Sequence, residues 1–467
     1  MTDQGYESQT ELELSPDVVN SILEALALGQ SSRVQSLAER LHYSDFADLL
    51  ERISVSDREK LIDTTRASFE PEILSELDET VRDDVIEYLG HDFVARAVSE
   101  LDSDDAFFVV EDLEEVDQQK ILAAMPKDDR SLIEEGLTYP EHSAGRLMQR
   151  EVVTVPLDWT VGATIDHMRR TADSEVVDDA DTSALPDLFY DIFVVDSLDK
   201  PVGTLPLSRL LRTRRPVSVS DIMGTELQAI PVDMDQEDVA HLFSKRDLVT
   251  APVVDNDGRL VGAITIDDVV DVIHEEHEED FMRLGGVLED DLYDAVIDTT
   301  KARFAWLVIN LGTAVLASLV IGLFEATLEQ IVALAVLMPI VASMGGNAGT
   351  QTLTVAVRAI ATRELSSTNA MRVVTKELMV GVANGIMFAV LAGLVAWLWF
   401  SSPEIGVIIG IAMVVNMIVA AFAGTVIPIV LDRYGIDPAV ASGVFLTTVT
   451  DVVGFFVFLA LAASFLL

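Results

Sequence analysis

The sequence predicts a multidomain membrane protein with an α-helical superhelical N-terminal domain, an α+β tandem repeat, an acidic connecting helix and an all-α domain of five transmembrane helices. This prediction depends on the separation of charge from hydrophobicity along 467 residues, and on two internal repeats. Residues 1–300 contain 24 Lys and Arg against 70 Asp and Glu, whereas residues 301–467 contain 7 against 8. The charged and the apolar parts are therefore separate bodies.

The composition excludes several classes of protein. A net charge of -47 argues against a nucleic-acid partner, because phosphate binding requires Lys and Arg. The absence of Cys excludes disulfides and thiolate metal sites. The acidity has two explanations that are compatible with each other: a halophilic protein in a salt-rich cytosol, or carboxylates that bind a divalent cation such as Mg²⁺ or Ca²⁺.

Five apolar segments are long enough to cross a lipid bilayer, which requires about 20 residues. They are Phe304–Phe324, Ile331–Ala361, Leu378–Phe400, Ile405–Leu431 and Ala439–Leu467. No signal peptide is recognisable in the first 40 residues, so we expect a cytoplasmic N-terminus and, after five spans, a C-terminus outside the plasma membrane. The positive-inside rule agrees, because the basic residues near the spans fall at inner ends: Lys301, Arg303, Arg363, Arg372, Lys376 and Arg433.

One ionisable residue lies well inside a span. Asp451 follows Thr447, Thr448 and Thr450 in the last span, and apolar residues follow it to the C-terminus. Such a carboxylate either packs by hydrogen bonding to neighbouring threonines or binds a cation. If the protein is a two-fold dimer, two copies of Asp451 can meet on the axis. The span region lacks His and Cys, which suits a hard cation that prefers oxygen ligands.

The second span contains a glycine-rich polar cluster after Pro339. Its members are Gly345, Gly346, Asn347, Gly349 and Gln351. Small residues favour tight helix packing, but a proline with three glycines also favours a break in the helix, with backbone carbonyls facing a water-filled pore. Both explanations stay open from the sequence.

Two segments of the cytoplasmic region repeat each other. Leu147–Pro156 corresponds to Ile222–Pro231, and Phe193–Gly203 corresponds to Pro252–Gly262, with a 16-residue acidic insertion within Thr171–Asp187. The pattern resembles a tandem pair of CBS domains, over 136–215 and 216–272, within the predicted pair 136–272. In the second copy, Gly262, Thr265 and Asp268 resemble the adenosine-nucleotide motif of CBS domains, with Thr265 and Asp268 as the candidate ATP-binding residues. Pro206 and Arg209 replace them in the first copy.

A weaker repeat precedes this pair, within the acidic domain predicted over 1–135. Positions 60 residues apart correspond, and the matched pairs are Leu41 with Leu101, Asp45 with Asp105, Ile53 with Leu113, Asp57 with Asp117 and Lys60 with Lys120. Such a repeat predicts stacked helical hairpins.

The segment 273–300 is predicted to be an acidic helix that connects the pair to the membrane domain, 301–467. Carboxylates recur here at three- and four-residue spacing: Asp271, Glu275, Glu278 and Glu279. Like charges on one helix face repel each other. A divalent ion between this face and another acidic surface would relieve that repulsion, although a solvated acidic helix explains the same pattern.

The order of these parts closely resembles the MgtE-type magnesium transporter family. The most specific matches are the segments 139–148 and 344–351, and Asp437-Pro438-Ala439 with Ser442 followed by Asp451. The resemblance implies a homodimeric Mg²⁺ channel lined by the second and fifth helices, with Asp451 as the cation-binding residue. It also implies a sensor between the N-terminal domain, the CBS pair and the connecting "plug" helix. Mg²⁺ would then be both substrate and regulatory ligand.

Two positions depart from the family pattern. Val444 stands where we expect a proline, and Thr350 replaces an asparagine that is common in the glycine cluster.

The predicted pore-lining residues are Gly345, Gly346, Asn347, Gln351 and Thr447. Alternatives are a CBS-regulated transporter of another divalent cation, such as Co²⁺ or Ca²⁺, and a membrane-anchored ion or nucleotide sensor without transport. An enzyme is not expected, because no nucleophile–base pair or phosphate loop is recognisable.

Overall fold

The computed structural model describes residues 14–173, 185–186, 188–287, 296–366 and 368–467. The chain divides after Glu275 into two compact units. Most of the predicted acidic insertion and the segment 288–295 of the predicted connecting helix lie outside the described residues.

From residue 14 onwards, where its description starts, the first unit begins with nine short helices. Their bounds are α1 Pro16–Ala27, α2 Ser31–Ala38, α3 Tyr43–Arg52, α4 Val55–Thr65, α5 Glu79–Leu89, α6 His91–Val98, α7 Ser103–Glu111, α8 Glu115–Ala124 and α9 Lys127–Gly136. Two 3₁₀ turns, Arg66–Ser68 and Pro71–Leu74, separate α4 from α5. The side chains of Ser15, Ser54 and Asp78 accept backbone hydrogen bonds at helix N-termini, which satisfies donors that the helix leaves unpaired.

The 60-residue repeat is visible in this helical array. Helices α7 and α8 begin 60 residues after α3 and α4, and both copies place an ion pair at the same position of the second helix. Lys60 Nζ lies 2.9 Å from Asp57 Oδ1, and Lys120 Nζ lies 2.6 Å from Asp117 Oδ1. Most of the apolar side chains of each hairpin are buried, so stacked helical hairpins are the arrangement that the pattern predicted.

The α+β repeat forms two three-stranded sheets with the same topology. The sheets have the orders β1 (Thr154–Pro156), β2 (Asp191–Val195), β3 (Pro201–Pro206) and β4 (Ile230–Pro231), β5 (Thr250–Val254), β6 (Leu260–Thr265). In each, the first pair is parallel and the second antiparallel, with an irregularity at equivalent valines. The accompanying helices are α10 Ala144–Leu147, α11 Val161–Asp173, α12 Leu207–Arg212 and α13 Gln236–Arg246.

The segment that leads into each copy of the repeat packs against the other copy. A Cβ atom on Gly262 would lie 2.7 Å from the backbone oxygen of Gln149, and one on Gly203 would lie 2.6 Å from the backbone oxygen of Gly224. Only glycine permits these approaches, and the matched pairs show that the two copies exchange their leading segments. A hydrogen bond of 2.7 Å from Thr250 Oγ1 to Asp191 Oδ2 also joins the two sheets.

The remaining helices are long, except for the six-residue α16. They are α14 Ile266–Gly285, α15 Val296–Gly322, α16 Glu325–Gln330, α17 Val332–Ala361, α18 Ala370–Phe400, α19 Pro403–Arg433 and α20 Pro438–Phe465. Within the described residues, five of them, α15, α17, α18, α19 and α20, are long and apolar enough to cross a membrane, which confirms the predicted number of spans. Helix α18 begins eight residues before the predicted Leu378, because a helix can continue into water beyond its apolar part.

Helix α17 is continuous through the glycine cluster. Of the two explanations that the sequence leaves open, a break in the helix after Pro339 finds no support in this continuous helix. The glycines serve close packing instead, since Gly349 contacts Leu446 of α20 and Gly424 of α19 lies against the Gly349 carbonyl. Gly346 is different, because no atom of the described residues lies within 4 Å of the position that its Cβ would occupy.

Substitution of Gly424 by alanine tests this packing. The added Cβ atom would lie 2.7 Å from the backbone oxygen of Gly349, which cannot rotate away. We expect Gly424→Ala to lower the free energy of unfolding by about 1–3 kcal/mol, measured by thermal unfolding of the full-length protein in detergent. Gly312→Ala in α15 is the matched control, because its Cβ meets no described atom within 4 Å. Equal stability of the two variants would contradict the packing role of Gly424.

Candidate cation pathway and carboxylate sites

Asp451 lies in the middle of α20 and is partly buried. Among the described residues it has no ion-pair partner and no hydrogen-bond donor. The neighbouring threonines do not serve it, because each donates to a carbonyl of its own helix: Thr448 Oγ1 to Val444 O at 2.7 Å, and Thr450 Oγ1 to Leu446 O at 3.1 Å. The carboxylate is thus available to a ligand, and the packing explanation based on threonines finds no support.

Thr447 precedes Asp451 by one helical turn and is exposed on the surface of the single chain. Its Oγ1 donates to Gly443 O at 3.0 Å, so the oxygen lone pairs are left to accept or to bind a ligand. Val444, one of the departures from the family pattern, is buried at 7% exposure and lies within a continuous α20. The spacing of Thr447 and Asp451 places a hydroxyl and a carboxylate along one side of the helix.

The predicted pore-lining residues of α17 separate into two groups. Asn347 and Gln351 are exposed and stand four residues apart, so they share one face of the helix. Asn347 Nδ2 donates to Ser343 O at 2.8 Å, which leaves its amide oxygen accessible. Gly345 lies on a buried face instead, against the side chain of Asn416. Gly346 adjoins open space.

Two buried polar residues of the membrane domain were not predicted from the sequence. Asn416 in α19 is fully buried, and Glu377 in α18 is 8% exposed. Glu377 Oε1 lies 3.3 Å from Lys376 Nζ. A signal for Asn416 was present, since it is the one amide in the apolar run Ile405–Leu431, but the sequence alone does not reveal what an isolated amide contacts.

In the first unit, carboxylates of the helical domain lie near those at the start of α14. Ser103 Oγ donates to Glu151 Oε2 at 2.8 Å, and Arg146 Nη1 lies 2.7 Å from Glu111 Oε2, so α7 is held against the segment that leads into the first sheet. Asp104 follows Ser103 in α7, so these contacts also fix the position of Asp104.

Desolvation raises the pKa of several of these carboxyl groups. It raises the pKa of Asp268 to about 7 and that of Asp105 to about 6, and it raises the pKa of Asp104 well above its ordinary value. Nearby carboxylates add to each shift; Asp268 acts on Asp104, and Asp271 acts on Asp105. The group is therefore a set of like charges in which desolvation and repulsion outweigh the hydrogen bonds that favour the ionised form.

The four predicted sensor carboxylates are divided between the two units: Asp271 and Glu275 belong to the first, and Glu278 and Glu279 belong to the second. Desolvation and then the charge of Asp267 raise the pKa of Asp271, and desolvation followed by the charge of Asp271 raises the pKa of Glu76 in the helical domain. Glu279 belongs to the second unit, where it forms an ion pair with Arg283. Glu275 and Glu278 are exposed.

Arg283 also joins the end of α14 to the start of α20. Its Nη1 lies 2.7 Å from Asp437 Oδ2, while Asp437 Oδ1 accepts a hydrogen bond of 2.7 Å from the backbone of Ala439. Asp280 lies nearby, and desolvation followed by the charge of Asp437 raises the pKa of Asp280. Within the described part of the chain, no three carboxylate or imidazole groups have the geometry to hold a bare metal ion.

The nucleotide-motif residues make a local structural contact. Thr265 Oγ1 donates to Asp268 Oδ2 at 2.7 Å, and the Thr265 backbone N–H donates to the same oxygen at 3.3 Å. This pair closes the N-terminus of α14. In the first copy, Arg209 Nη1 donates to Ile222 O at 2.8 Å, so this position is occupied by a packing contact.

Five spans, a carboxylate inside the last of them and a tandem α+β pair define a membrane protein of the transporter class with a large acidic extramembrane region. Sequence models agree with each part. A model of the MgtE family, described as divalent cation transporters, matches residues 338–461, the MgtE intracellular N domain matches residues 41–142, and the CBS domain matches residues 219–275.

Whole-chain relatives give the same result. The magnesium transporter MgtE of Thermus thermophilus is 31% identical over 95% of this chain and 97% of that protein. The magnesium transporter MgtE of Bacillus subtilis is 26% identical over 96% of this chain and 98% of that protein. The chain therefore belongs to the MgtE family, which confirms the resemblance.

A solved structure is also similar to the soluble part. It is the cytosolic domain of the Mg²⁺ channel MgtE in complex with ATP, with a TM-score of 0.49 and 28% identity over 54% of this chain and 99% of that chain.

The raised pKa of Asp268 leads to a prediction about stability. Because its folded-state pKa is about 7 and its unfolded-state pKa is near 3.8, the folded protein takes up the proton first as the pH falls. Stability should therefore increase from pH 8 to pH 5. We expect Asp268→Asn to be more stable than wild type at pH 8, by on the order of 2 kcal/mol, and to lose much of this pH dependence.

The measurement is thermal unfolding of the full-length protein in detergent, with a chelator present, between pH 5 and pH 8. Asp233→Asn, an exposed aspartate of the second α+β copy, is the matched control and should follow wild type. A pH profile of Asp268→Asn identical to that of wild type would contradict the desolvation of Asp268.

Proposed function

We propose that this chain admits Mg²⁺ to the cytoplasm by passive, channel-like flow through the plasma membrane, and that cytoplasmic Mg²⁺ closes the pathway. One observation carries the proposal. It is the carboxylate of Asp451 in the last span, which has no partner among the described residues, with the hydroxyl of Thr447 one turn away on an accessible face. Relatives of nearly the same length are named magnesium transporters.

The chemistry of the pathway suits a hydrated divalent cation. Mg²⁺ dehydrates reluctantly and keeps several waters, so a pathway with one carboxylate and a series of amides and hydroxyls can bind it through water. In a homodimer with α17 and α20 near the two-fold axis, two copies of Asp451 would face the same ion. A membrane potential that is negative inside drives a divalent cation inward by about 4.6 kcal/mol per 100 mV.

The proposal also includes an orientation of the chain in the membrane. The basic residues at helix ends favour a cytoplasmic N-terminus and a C-terminus outside. The acidic surface, with its net charge of -47, suits a halophilic cell, where salt screens repulsion among carboxylates. The activity is transport rather than enzymatic catalysis, because the proposed pathway residues are ligands for an ion and include no nucleophile with a general base.

The sensor is proposed to include Asp271, with Glu275, Glu278 and Glu279 as further members along α14. To these we add Asp104, Asp105 and Asp268, because desolvation and like-charge neighbours raise their pKa values, and a divalent cation relieves both effects. A hydrated ion that bridges carboxylates through water does not require three of them to converge. Cytoplasmic Mg²⁺ favours closure if it binds the closed arrangement more tightly.

ATP is the second ligand considered, at Thr265 and Asp268 of the CBS pair. The hydrogen bond between these two side chains would have to exchange for bonds to a ribose or phosphate. We therefore place ATP below Mg²⁺ as a regulatory ligand. A transporter of Co²⁺ or Ca²⁺ and a membrane-anchored sensor without transport remain the competing functions.

The first test is ion flux into proteoliposomes that contain purified protein in high KCl. We expect Asp451→Asn to reduce Mg²⁺ entry by more than about tenfold, because the pathway loses the carboxylate that binds the ion. Glu404→Gln is the matched control, since Glu404 is an exposed carboxylate at the start of α19 and should leave flux unchanged. Full flux through Asp451→Asn would remove this residue from the pathway.

The same vesicles distinguish the competing functions. Ca²⁺ or Co²⁺ that enters faster than Mg²⁺ would reassign the substrate. If the folded wild-type protein carries none of these ions, the anchored-sensor function takes the place of transport.

The sensor is tested by the Mg²⁺ concentration on the cytoplasmic side that halves the flux. We expect Asp105→Asn combined with Asp271→Asn to raise this concentration by about tenfold, since two carboxylates that bind the ion in the closed state become neutral. Asp233→Asn serves as the control for a change in surface charge. An unchanged half-closing concentration would exclude this carboxylate group from sensing.

A further inference from the structure

Asn416 is a fully buried amide in the middle of α19. Its exposure is 0%, and its Nδ2 donates a hydrogen bond of 2.9 Å to the backbone oxygen of Val341 in α17. Its Oδ1 finds no hydrogen-bond partner among the described residues. Burying an amide with one group unpaired costs free energy, so an apolar residue would make a more stable core at this position.

Another buried polar residue of α19 does not join helices in this way. Thr425 is also 0% exposed, but its Oγ1 donates at 2.8 Å to Ala421 O within its own helix. Asn416 instead makes an interhelical bond to a carbonyl of the glycine-cluster helix. This difference makes Thr425 a matched comparison for every test of Asn416.

Two glycines from two different helices form the space that Asn416 occupies. A Cβ atom on Gly345 of α17 would lie 2.1 Å from Asn416 Nδ2, and one on Gly454 of α20 would lie 2.8 Å from the same atom. Any larger residue at either position would collide with the amide. The side chain of Asn416 therefore acts as a spacer between α17 and α20, and it sets how closely each approaches α19.

Both glycines stand next to residues of the proposed pathway. Gly345 precedes Asn347 by two residues in α17, and Gly454 follows Asp451 by three residues, about one helical turn, in α20. The spacer consequently contacts the two helices that carry the accessible amides and the carboxylate of the proposed pathway. A shift of either helix against Asn416 would move these groups relative to each other.

We propose that Asn416 is a positioning residue for the cation pathway: it holds α17 and α20 at the separation and rotation at which Asp451 faces the passing ion. This inference rests on the proposed transport function. Asn416 does not touch the ion. It acts through the glycine contacts on either side and through its bond to Val341 O.

The inference is tested by enlarging the side chain at position 454 and shortening the one at position 416, first separately and then together. Gly454→Ala should raise the Mg²⁺ concentration for half-maximal flux by about tenfold, because the new methyl group pushes α20 away from Asn416. Asn416→Ala should have a similar effect, since the spacer is gone. The double variant Gly454→Ala with Asn416→Ala places a methyl group in the vacated space and should recover most of the wild-type value.

The comparison with Thr425→Val separates positioning from general stability. This variant removes a buried hydroxyl from the same helix and should leave the half-maximal Mg²⁺ concentration unchanged. A purely structural role for Asn416 would lower the amount of folded protein and the maximal flux at an unchanged half-maximal concentration. That result, or a double variant that is no better than the worse single variant, would overturn the inference.

A measurement independent of transport uses the absence of cysteine from the chain. In a Thr447→Cys background, a water-soluble thiol reagent labels a position one turn from Asp451. Asn416→Ala should change the labelling rate several-fold, and Gly454→Ala with Asn416→Ala should restore it. If wild type carries no Mg²⁺, the transport proposal fails, and the labelling rates alone decide whether Asn416 positions α20; equal rates in all variants would show that it does not.

Discussion

Helix α19 is packed on several sides at once, and small residues at its contacts decide how near its neighbours can come. Gly424 lies against the Gly349 carbonyl of α17, and Gly406 lies against the Gly393 carbonyl of α18. In a bilayer, apolar contact with lipid competes with apolar contact between helices, so close backbone approach and interhelical hydrogen bonds carry the association. The position of Asp451 depends on this packing, because its own side chain has no polar partner among the described residues to fix it.

The two units use charge in opposite ways. The membrane domain contains few ionisable groups, so a single carboxylate dominates the local field and can define a cation pathway. In the first unit, carboxylates are so frequent that their density does not identify a site. What distinguishes Asp104, Asp105 and Asp268 is desolvation beside other carboxylates, which raises their pKa values. A divalent cation would relieve this repulsion, which is why these carboxylates belong to the proposed sensor.

The end of α14 shows how one aspartate can serve two purposes. Asp437 accepts a backbone hydrogen bond at the start of α20 with one oxygen and a bond from the Arg283 guanidinium with the other. The neighbouring Leu284 packs against a cluster that includes Leu353 of α17 and Leu446 of α20. Glu279 forms an ion pair with Arg283 as well. Its surroundings therefore differ from those of Asp271, although both residues belong to the same acidic pattern along α14.

Much of this architecture was determined by the sequence, because periodicity and hydropathy are local properties. The five spans, the stacked hairpins and the tandem sheets follow from apolar patterns and internal repeats. Both can be recognised along the chain without knowledge of which distant residues are in contact. Asp451 could be identified for the same reason: a charge within an apolar run is conspicuous, whatever surrounds it. Helix ends were less accurate, as at α18, because helices continue beyond the apolar part.

Only the tertiary structure decided which residues meet. The glycine cluster has the same composition whether it breaks a helix or admits a neighbour; in the folded chain α17 is continuous, and Gly345 contacts Asn416. The sequence also did not reveal the partners of the acidic helix. Repulsion among its own carboxylates does not identify which carboxylates of the helical domain lie near it. Asp104 and Asp268 are distant in sequence, and their interaction arises only when folding removes water from both. Local patterns determine elements, whereas desolvation and close approach are properties of pairs, and pairs exist only in the folded chain.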